Sequence, residues 1–362
     1  MKMEAILLTG HGGFEQLEYR TDVPVPTPRP DEVLIRVAAA GVNNTDINTR
    51  TAWYSKSVAV GTNSGGADGF ATAEGGDASW SGTPMAFPRI QGADACGRIV
   101  AVGDNVEASR IGERVLVRNM LRSYVNYRPY KCWTFGSECD GGFAQFAVAP
   151  SRETYAVRCD WSDAELASIP CAYSTAENML HRAGVGEETV VVTGASGGVG
   201  SAAVQLARRR GARVIAIASA AKAQEILALG AEQVIDRNAD LLQELGHGSV
   251  DVVLDIVGGA GWPPLMDILR RGGRYAVAGA IAGPIAEIDL RTLYLKDLTL
   301  FGCTFQDDAV FENLVSYIET GAIRPVVAKT YPLKDIVAAQ KDFLAKTHVG
   351  KLVLLPSQET IG

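Results

Sequence analysis

Residues 190–200 read Val190-Val191-Val192-Thr193-Gly194-Ala195-Ser196-Gly197-Gly198-Val199-Gly200. Three consecutive valines form the uninterrupted apolar run of a parallel strand buried on both faces. After the glycines, Val199, Ala202, Ala203, Leu206 and Ala207 recur at the spacing of one helical face. A glycine turn between a strand and a helix is the setting of the G-x-G-x-x-G dinucleotide fingerprint, here with Ala195 in the first position, then Gly197 and Gly200. At Gly197 the missing Cβ lets a pyrophosphate approach the backbone, and the helix N-terminus offers free N–H groups and partial positive charge. Gly200 permits close packing of helix on strand. Ala195, Ser196, Gly197, Gly198, Val199 and Gly200 are therefore the expected phosphate-binding residues; the plainer alternative is a tight turn.

Downstream the pattern repeats. Apolar segments Arg213–Ala218, Gln233–Asp236, Val250–Gly258, Arg274–Ala280 and Leu298–Thr304 alternate with helical segments, among them Lys222–Leu229 and one near Pro264–Arg271. This predicts an α/β Rossmann unit with a doubly wound parallel sheet over 156–305. Upstream, Asp31–Val42, Gly97–Gly103, Glu113–Arg118 and Gly142–Pro150 read as strands of a compact β-domain over 1–155. Residues 306–362 are expected to return to it. The Pro-rich Val23–Pro30 suits an edge or a connector. Gly61–Thr83, rich in Gly, Ala, Ser and Asp, is either a surface insertion or a lid beside the active site.

The second strand of the Rossmann unit decides which dinucleotide fits. Enzymes of NAD carry an acid there for the ribose 2′-hydroxyl. This strand ends Ala218-Ser219-Ala220-Ala221-Lys222, without an acid. Ser219 and Lys222 would bond and neutralise a 2′-phosphate, so NADPH is the expected cofactor. Lys222 as an ordinary exposed helix start is the competing reading.

At 362 residues the chain exceeds what one core supports. A net charge of −7 argues against nucleic acid as a partner. No apolar stretch reaches bilayer-spanning length, and no signal-peptide pattern opens the chain. Six scattered cysteines without a C-x-x-C suit free thiols in a reducing cytoplasm. The expected partner is a small-molecule substrate, with neither nucleic acid nor membrane.

Five further segments complete a pattern. GVNNTDIN (Gly41–Asn48), GADACGRIVAVG (Gly92–Gly103), DGGFAQFAVAP (Asp140–Pro150), LYLKDLTLFGCT (Leu293–Thr304) and HVGKLVL (His348–Leu354) occur in this order around the glycine fingerprint. Together they resemble the medium-chain dehydrogenase/reductase superfamily over nearly the whole chain. The resemblance implies a GroES-like β-domain joined to the Rossmann domain. By the same carry-over, Thr175 borders the nicotinamide, Gly279 with Ala280 and Cys303 through Phe305 border its carboxamide, and Lys351 meets the diphosphate. It also implies a homodimer formed through the edge strand LTLFGCT.

The departures matter as much. Zinc-dependent members carry Cys where this chain has Asn43, His where it has Ala93, and Glu where it has Asp94; only Cys171 matches a third ligand. Catalytic zinc takes three ligands from Cys, His and carboxylate. No metal is therefore expected, the alternative being a rearranged set of Asp94, Cys96 and Cys171. The pattern is similar to the zinc-free quinone-oxidoreductase and enoyl-reductase branch, which passes hydride from NADPH to an activated alkene, enone or quinone. Ungapped alignment puts Tyr54 on the branch's catalytic tyrosine and Asn43 where it uses an amide near the nicotinamide. The plainer readings are a packed aromatic and a turn-forming Asn. Trp53, Trp80, Tyr124, Tyr127, Trp133 and Tyr173 are candidates for an aromatic pocket beside Tyr54. Two other functions compete: an alcohol dehydrogenase or aldehyde reductase, zinc-free or with an altered metal site, and a non-catalytic NADPH-binding protein.

Overall fold

Alternate residues of the strand Thr189–Val192 face different helical layers, and this organises the larger sheet. Val190 and Val192 pack with Met179, Ala203 and Leu206, whereas Val191 packs with Ile215, Val253 and Leu265. Fully burying one such side chain contributes roughly 1.5–3 kcal/mol, so a charge at any of them would break the sheet. The computed structural model describes residues 1–359. Its six-stranded parallel sheet runs Gln233–Asp236, Arg213–Ala218, Thr189–Val192, Val250–Asp255, Leu269–Val277, Thr299–Gly302. Helices Pro170–Arg182, Gly198–Arg209 and Asp308–Glu319 cover one face, and Trp262–Ile268 covers the other. This is the doubly wound Rossmann order, with its ligand crevice where the strand order reverses, at the end of Thr189–Val192.

One boundary departs from expectation. The fifth strand starts at Leu269 rather than Arg274, and the preceding helix stops at Ile268. Gly272, at φ +70°, and Gly273 read as a turn but form an irregularity within the strand. Val250 pairs with Leu269 and Val252 with Arg274, so the extra residues bulge out between two paired ends.

The β-domain is built around Glu32–Val42. Its sheet runs Thr154–Ala156, Arg114–Val117, Cys96–Val102, Glu32–Val42, Lys351–Leu355, Val327–Pro332, with Phe146–Pro150 also pairing to Glu32–Val42. The late strand Lys351–Leu355 thus returns to the first domain, setting Leu352 opposite Val42 and Val353 opposite Gly41. The Pro-rich segment leaves an edge strand, Leu17–Pro24, and continues as coil.

The insertion is anchored at both ends. Thr62 is fully buried; its N–H donates to Ile281 O (3.1 Å), across in the Rossmann unit, and its hydroxyl to Asn48 Oδ1 (3.0 Å). The buried Arg50 donates to Gly66 O (2.5 Å), Gly12 O (2.8 Å) and Gln340 Oε1 (3.0 Å). Trp80 stands edge-on to Tyr54, ring centroids 5.0 Å apart. These contacts join Gly61–Thr83 to Asn48, Arg50 and Tyr54.

Candidate active site

Helix Asn44–Arg50 follows directly on strand Glu32–Val42, and Asn43 is its N-cap. Asp46, three residues on, accepts the Asn43 N–H at Oδ2 (2.7 Å) and the Ala93 N–H at Oδ1 (3.2 Å). With Asp46 serving the backbone, the Asn43 side chain is free to reach inward. Its Nδ2 donates to Asp94 Oδ2 (2.7 Å). The Cys171 N–H, at the start of helix Pro170–Arg182, donates to Asp94 Oδ1 (2.6 Å). Lys351 donates to Asp94 Oδ2 (3.0 Å), Val42 O (3.1 Å) and Asn43 Oδ1. Asp94 is thus the hub of a buried centre joining four distant parts of the chain.

The expectation for Lys351 is corrected by this placement. Its three ammonium protons are committed to three acceptors inside the centre, so it is not a free cation for a diphosphate. Its stem lies along the nucleotide helix: a Cβ added at Gly198 would meet Lys351 Cδ at 2.7 Å. Sequence proximity was equally misleading for Cys96, whose thiol faces Asp163 Oδ1 (3.7 Å) in a different part of the core. The set Asp94, Cys96, Cys171 is therefore not assembled. Among the described residues, no group of three or more His, Cys, Asp or Glu side chains is arranged to hold a metal ion. The zinc of the family's metal-dependent members does not fit these donors: Asn43 and Ala93 replace two ligands, and the oxygens of Asp94 already accept three hydrogen bonds.

Burial acts strongly on the titratable groups. It pushes the Asp46 carboxyl up to about 7, with the charge of Asp94 adding to the effect. The Cys171 thiol is raised by burial and by Asp94. Tyr54 donates to Thr45 Oγ1 (2.9 Å), and burial raises its phenol well above the ordinary value. Thr45 lies in the first turn of helix Asn44–Arg50, two residues after Asn43, so this bond ties Tyr54 to the element that carries Asn43 and Asp46. Asp46 escaped the sequence reading as a functional group, and Asp94 entered it only as a member of the alternative metal set. The Asn43–Asp46 spacing of an N-cap and its third residue was the available signal.

The glycine loop has the expected geometry. Gly197 caps helix Gly198–Arg209, and a Cβ on Gly200 would fall 2.2 Å from Gly194 O. A Cβ at Gly197 would meet nothing closer than 3.6 Å, which leaves its outer side open. Ala195 is buried and donates to Ile217 O (3.2 Å); Val199 is half-buried. Ser196 O accepts from Gly350 N (3.0 Å), tying the late strand to the loop. Lys222 Nζ donates to Lys346 O (2.6 Å), His348 O (2.8 Å) and Ser196 Oγ (3.4 Å). Ser219 caps the short turn Ala220–Lys222. Burial, then Lys222, pushes Lys346 down to about 8, and burial with Lys222 and Lys346 pushes His348 down to about 4. Neither C-terminal residue was singled out in the sequence.

Thr175 bonds Cys171 O (2.7 Å) within its own helix. Gly279 approaches the backbone of Ile256, where an added Cβ would meet Ile256 O at 3.0 Å. Cys303 is buried, its N–H on Val277 O (2.9 Å), and Phe305 stacks with Tyr130 at 5.4 Å. Of the aromatic candidates, Trp53 and Trp80 flank Tyr54. Three others are packing residues. Tyr173 is buried and accepts from Gln205 (2.9 Å), and Tyr124 bonds Glu32 (2.6 Å) and packs on Trp133.

Residues 29–158 match the alcohol dehydrogenase GroES-like domain family, and residues 198–320 match the zinc-binding dehydrogenase family. The quinone oxidoreductase of Lama guanicoe is 30% identical over 368 residues, covering 98% of this chain and 97% of that one. The acryloyl-coenzyme A reductase of Metallosphaera sedula is 28% identical, covering 97% and 99%. A solved structure of a Sinorhizobium meliloti 1021 protein assigned as an alcohol dehydrogenase superposes with a TM-score of 0.87. It is 45% identical, with 98% and 97% covered. The chain therefore belongs to the medium-chain dehydrogenase/reductase superfamily, in its quinone-oxidoreductase and enoyl-reductase-like branch, and is a nicotinamide-dependent oxidoreductase of that type.

Proposed function

We propose that this chain is a zinc-independent, NADPH-dependent reductase of activated alkenes, enones or quinones. The observation that carries the reading is the closed centre Asn43–Asp94–Lys351, in which hydrogen bonds occupy the place of a metal's ligands. Without a Lewis acid to stabilise an alkoxide, the accessible chemistry is one that develops charge on an enolate or phenolate oxygen. Reduced nicotinamide, when bound, supplies the hydride. Tyr54, kept protonated by burial, holds the proton at its phenol oxygen and donates toward that developing charge. Asn43, fixed by Asp94 and Lys351, forms the polar floor. Trp53 and Trp80 narrow the approach and exclude water.

Selectivity for NADPH rests on the missing acid after Ala218 and on Lys222, which reaches Ser196 Oγ (3.4 Å) and would turn from the carbonyls of Lys346 and His348 toward a 2′-phosphate. A homodimer through the strand Thr299–Gly302 is supported by the exposed apolar residues at that edge: Ile288, Leu290, Tyr294, Leu295 and Leu300. All six cysteines are free, as a reducing cytoplasm would keep them, and no helix among the described residues is long and apolar enough to cross a membrane. The test is metal analysis of the purified protein beside NADPH oxidation with quinones, enones and aldehydes. Substoichiometric zinc with enone or quinone turnover is expected. Stoichiometric zinc with aldehyde turnover overturns the reading, and NADPH binding without turnover of any acceptor would mark a non-catalytic binder.

A further inference from the structure

Gly61–Thr83 has the composition of a solvent loop, yet Thr62 is fully buried and uses both its backbone N–H and its hydroxyl. The hydroxyl donates to Asn48 Oδ1 (3.0 Å) and accepts from Asn44 Nδ2 (3.4 Å). Asn44 Nδ2 also reaches Asn48 Oδ1 (3.2 Å), one turn along helix Asn44–Arg50. Two donors thus converge on one oxygen of the buried Asn48. They fix which way its amide faces, because a reversed amide would set its NH2 group against that of Asn44. With Oδ1 held from both sides, Nδ2 is left to serve the opposite side.

Thr45 and Asn48 are three residues apart and hence neighbours on the helix surface. The Tyr54 hydroxyl, bonded to Thr45 Oγ1 (2.9 Å), therefore lies beside the Asn48 amide. Burial raises the pKa of the phenol, and hydrogen bonds with Thr45 and then with Asn48 act against that rise. The turn that brings Tyr54 back over the helix also starts at Asn48. Its carbonyl accepts the Trp53 N–H (2.8 Å), and the buried Ala52 before Trp53 sits at φ 60°. Left-handed backbone at a residue with a side chain is costly and persists only where its surroundings hold it.

The other end of this string lies in the nucleotide domain. The Thr62 N–H donates to Ile281 O (3.1 Å), and Gly61 passes so close that an added Cβ would fall 2.6 Å from the same oxygen. Ile281 directly follows Gly279 and Ala280, the pair expected beside the carboxamide. The Ala282 N–H donates to Val257 O (2.9 Å), just past the strand Val250–Asp255. One residue of the insertion thus joins the crevice of the parallel sheet to the helix under Tyr54.

We propose that Thr62 and Asn48 are positioning residues for the Tyr54 hydroxyl, aiming it at the oxygen on which charge develops. This deepens the proposed function and rests on Tyr54 being its proton donor. Aiming a donor lowers the barrier in the transition state, so its loss belongs in kcat rather than KM.

Thr62→Val keeps the side-chain shape and the backbone bond to Ile281 but removes the hydroxyl, whereas Thr62→Ser keeps the hydroxyl. With an enone and NADPH, kcat should fall about fivefold to tenfold in Thr62→Val at little-changed KM. Thr62→Ser should stay within about twofold of the wild type. In a Tyr54→Phe background, Thr62→Val should cost less than about twofold more. Asn48→Ala should repeat this pattern, and it carries the test if Thr62→Val fails to fold. An undiminished kcat in Thr62→Val, or the same fold-loss with and without the Tyr54 hydroxyl, overturns the inference. The 19F resonance of 3-fluorotyrosine placed at position 54 reads the hydroxyl's surroundings without turnover. It should shift in Thr62→Val and stay in place in Thr62→Ser; a resonance unmoved in both overturns the inference. An inert wild type, or a Tyr54→Phe variant with full kcat, instead defeats the reductase reading, and the resonance alone then decides the positioning.

Discussion

Lys351 Nζ lies 3.0 Å from Asp94 Oδ2, and both side chains are essentially excluded from solvent. A buried pair of this kind is costly to split, because the partner left behind is an uncompensated charge. Lys351→Met should destabilise the protein by about 3–5 kcal/mol. Adding Asp94→Asn should restore a large part of that loss. Urea unfolding of the single and double variants measures both; strict additivity of the two single losses would show that the residues do not act as a pair.

Tyr54 should matter for turnover rather than folding. Its hydroxyl donates to Thr45 Oγ1 (2.9 Å), and Tyr54→Phe removes that bond while leaving the packing on Trp80 intact. We expect kcat with an enone to fall about 100-fold, with KM and the unfolding midpoint little changed. A drop in KM affinity without a drop in kcat would assign the ring, not the proton, the important role.

Asp46 makes stability fall with rising pH. Its folded carboxyl titrates near 7, against 3.8 for the reference group. The folded state therefore holds the proton more tightly than the unfolded chain. The associated stability is full below about pH 4 and is lost as the pH climbs through about 7. Unfolding free energies between these limits should decline in the wild type and be flatter in Asp46→Asn. A wild-type profile that rises across the window would contradict this.

Lys346, pushed down to about 8, should regain its proton when a phosphate dianion enters beside it. NADPH binding at about pH 9 should then take up protons, while NADH binding should not. Calorimetry in buffers of different ionisation enthalpy reads the difference directly. Lys346→Ala should abolish the uptake and narrow the NADPH-to-NADH affinity ratio. Identical buffer dependence for both cofactors would remove Lys346 from the phosphate site.

The sequence carried the fold well where the signal was local. Arg213–Ala218 and Gln233–Asp236 form strands with the bounds read from their apolar runs, and Gly200 sits where only a residue without Cβ fits. Leu269–Arg271 was misread because Arg270, Arg271, Gly272 and Gly273 look like the end of a helix, and only pairing with Val250 makes them strand. The active centre was legible as a set of departures, Asn43 and Ala93 above all, but not as a geometry. Nothing in the spacing of HVGKLVL says that the Lys351 ammonium turns toward Asp94. That follows from the late strand lying against Gly41 and Val42. For the same reason the cationic surroundings of Lys222 were only half visible, since Lys346 and His348 arrive from the far end of the chain.

The returning strand also sets an order in time. Asp94 and Lys351 are separated by 257 positions, and the whole parallel sheet lies between them. Contacts of such long range form late, because the intervening chain must lose its freedom before they reward it. The nucleotide-binding half can assemble from neighbouring segments, whereas the charge at the heart of the first domain stays unmatched until the last strand is laid beside it. The same late segment carries Lys346 and His348 to Lys222 and Gly350 to Ser196, so one strand completes both the nucleotide loop's surroundings and the Asp94 centre.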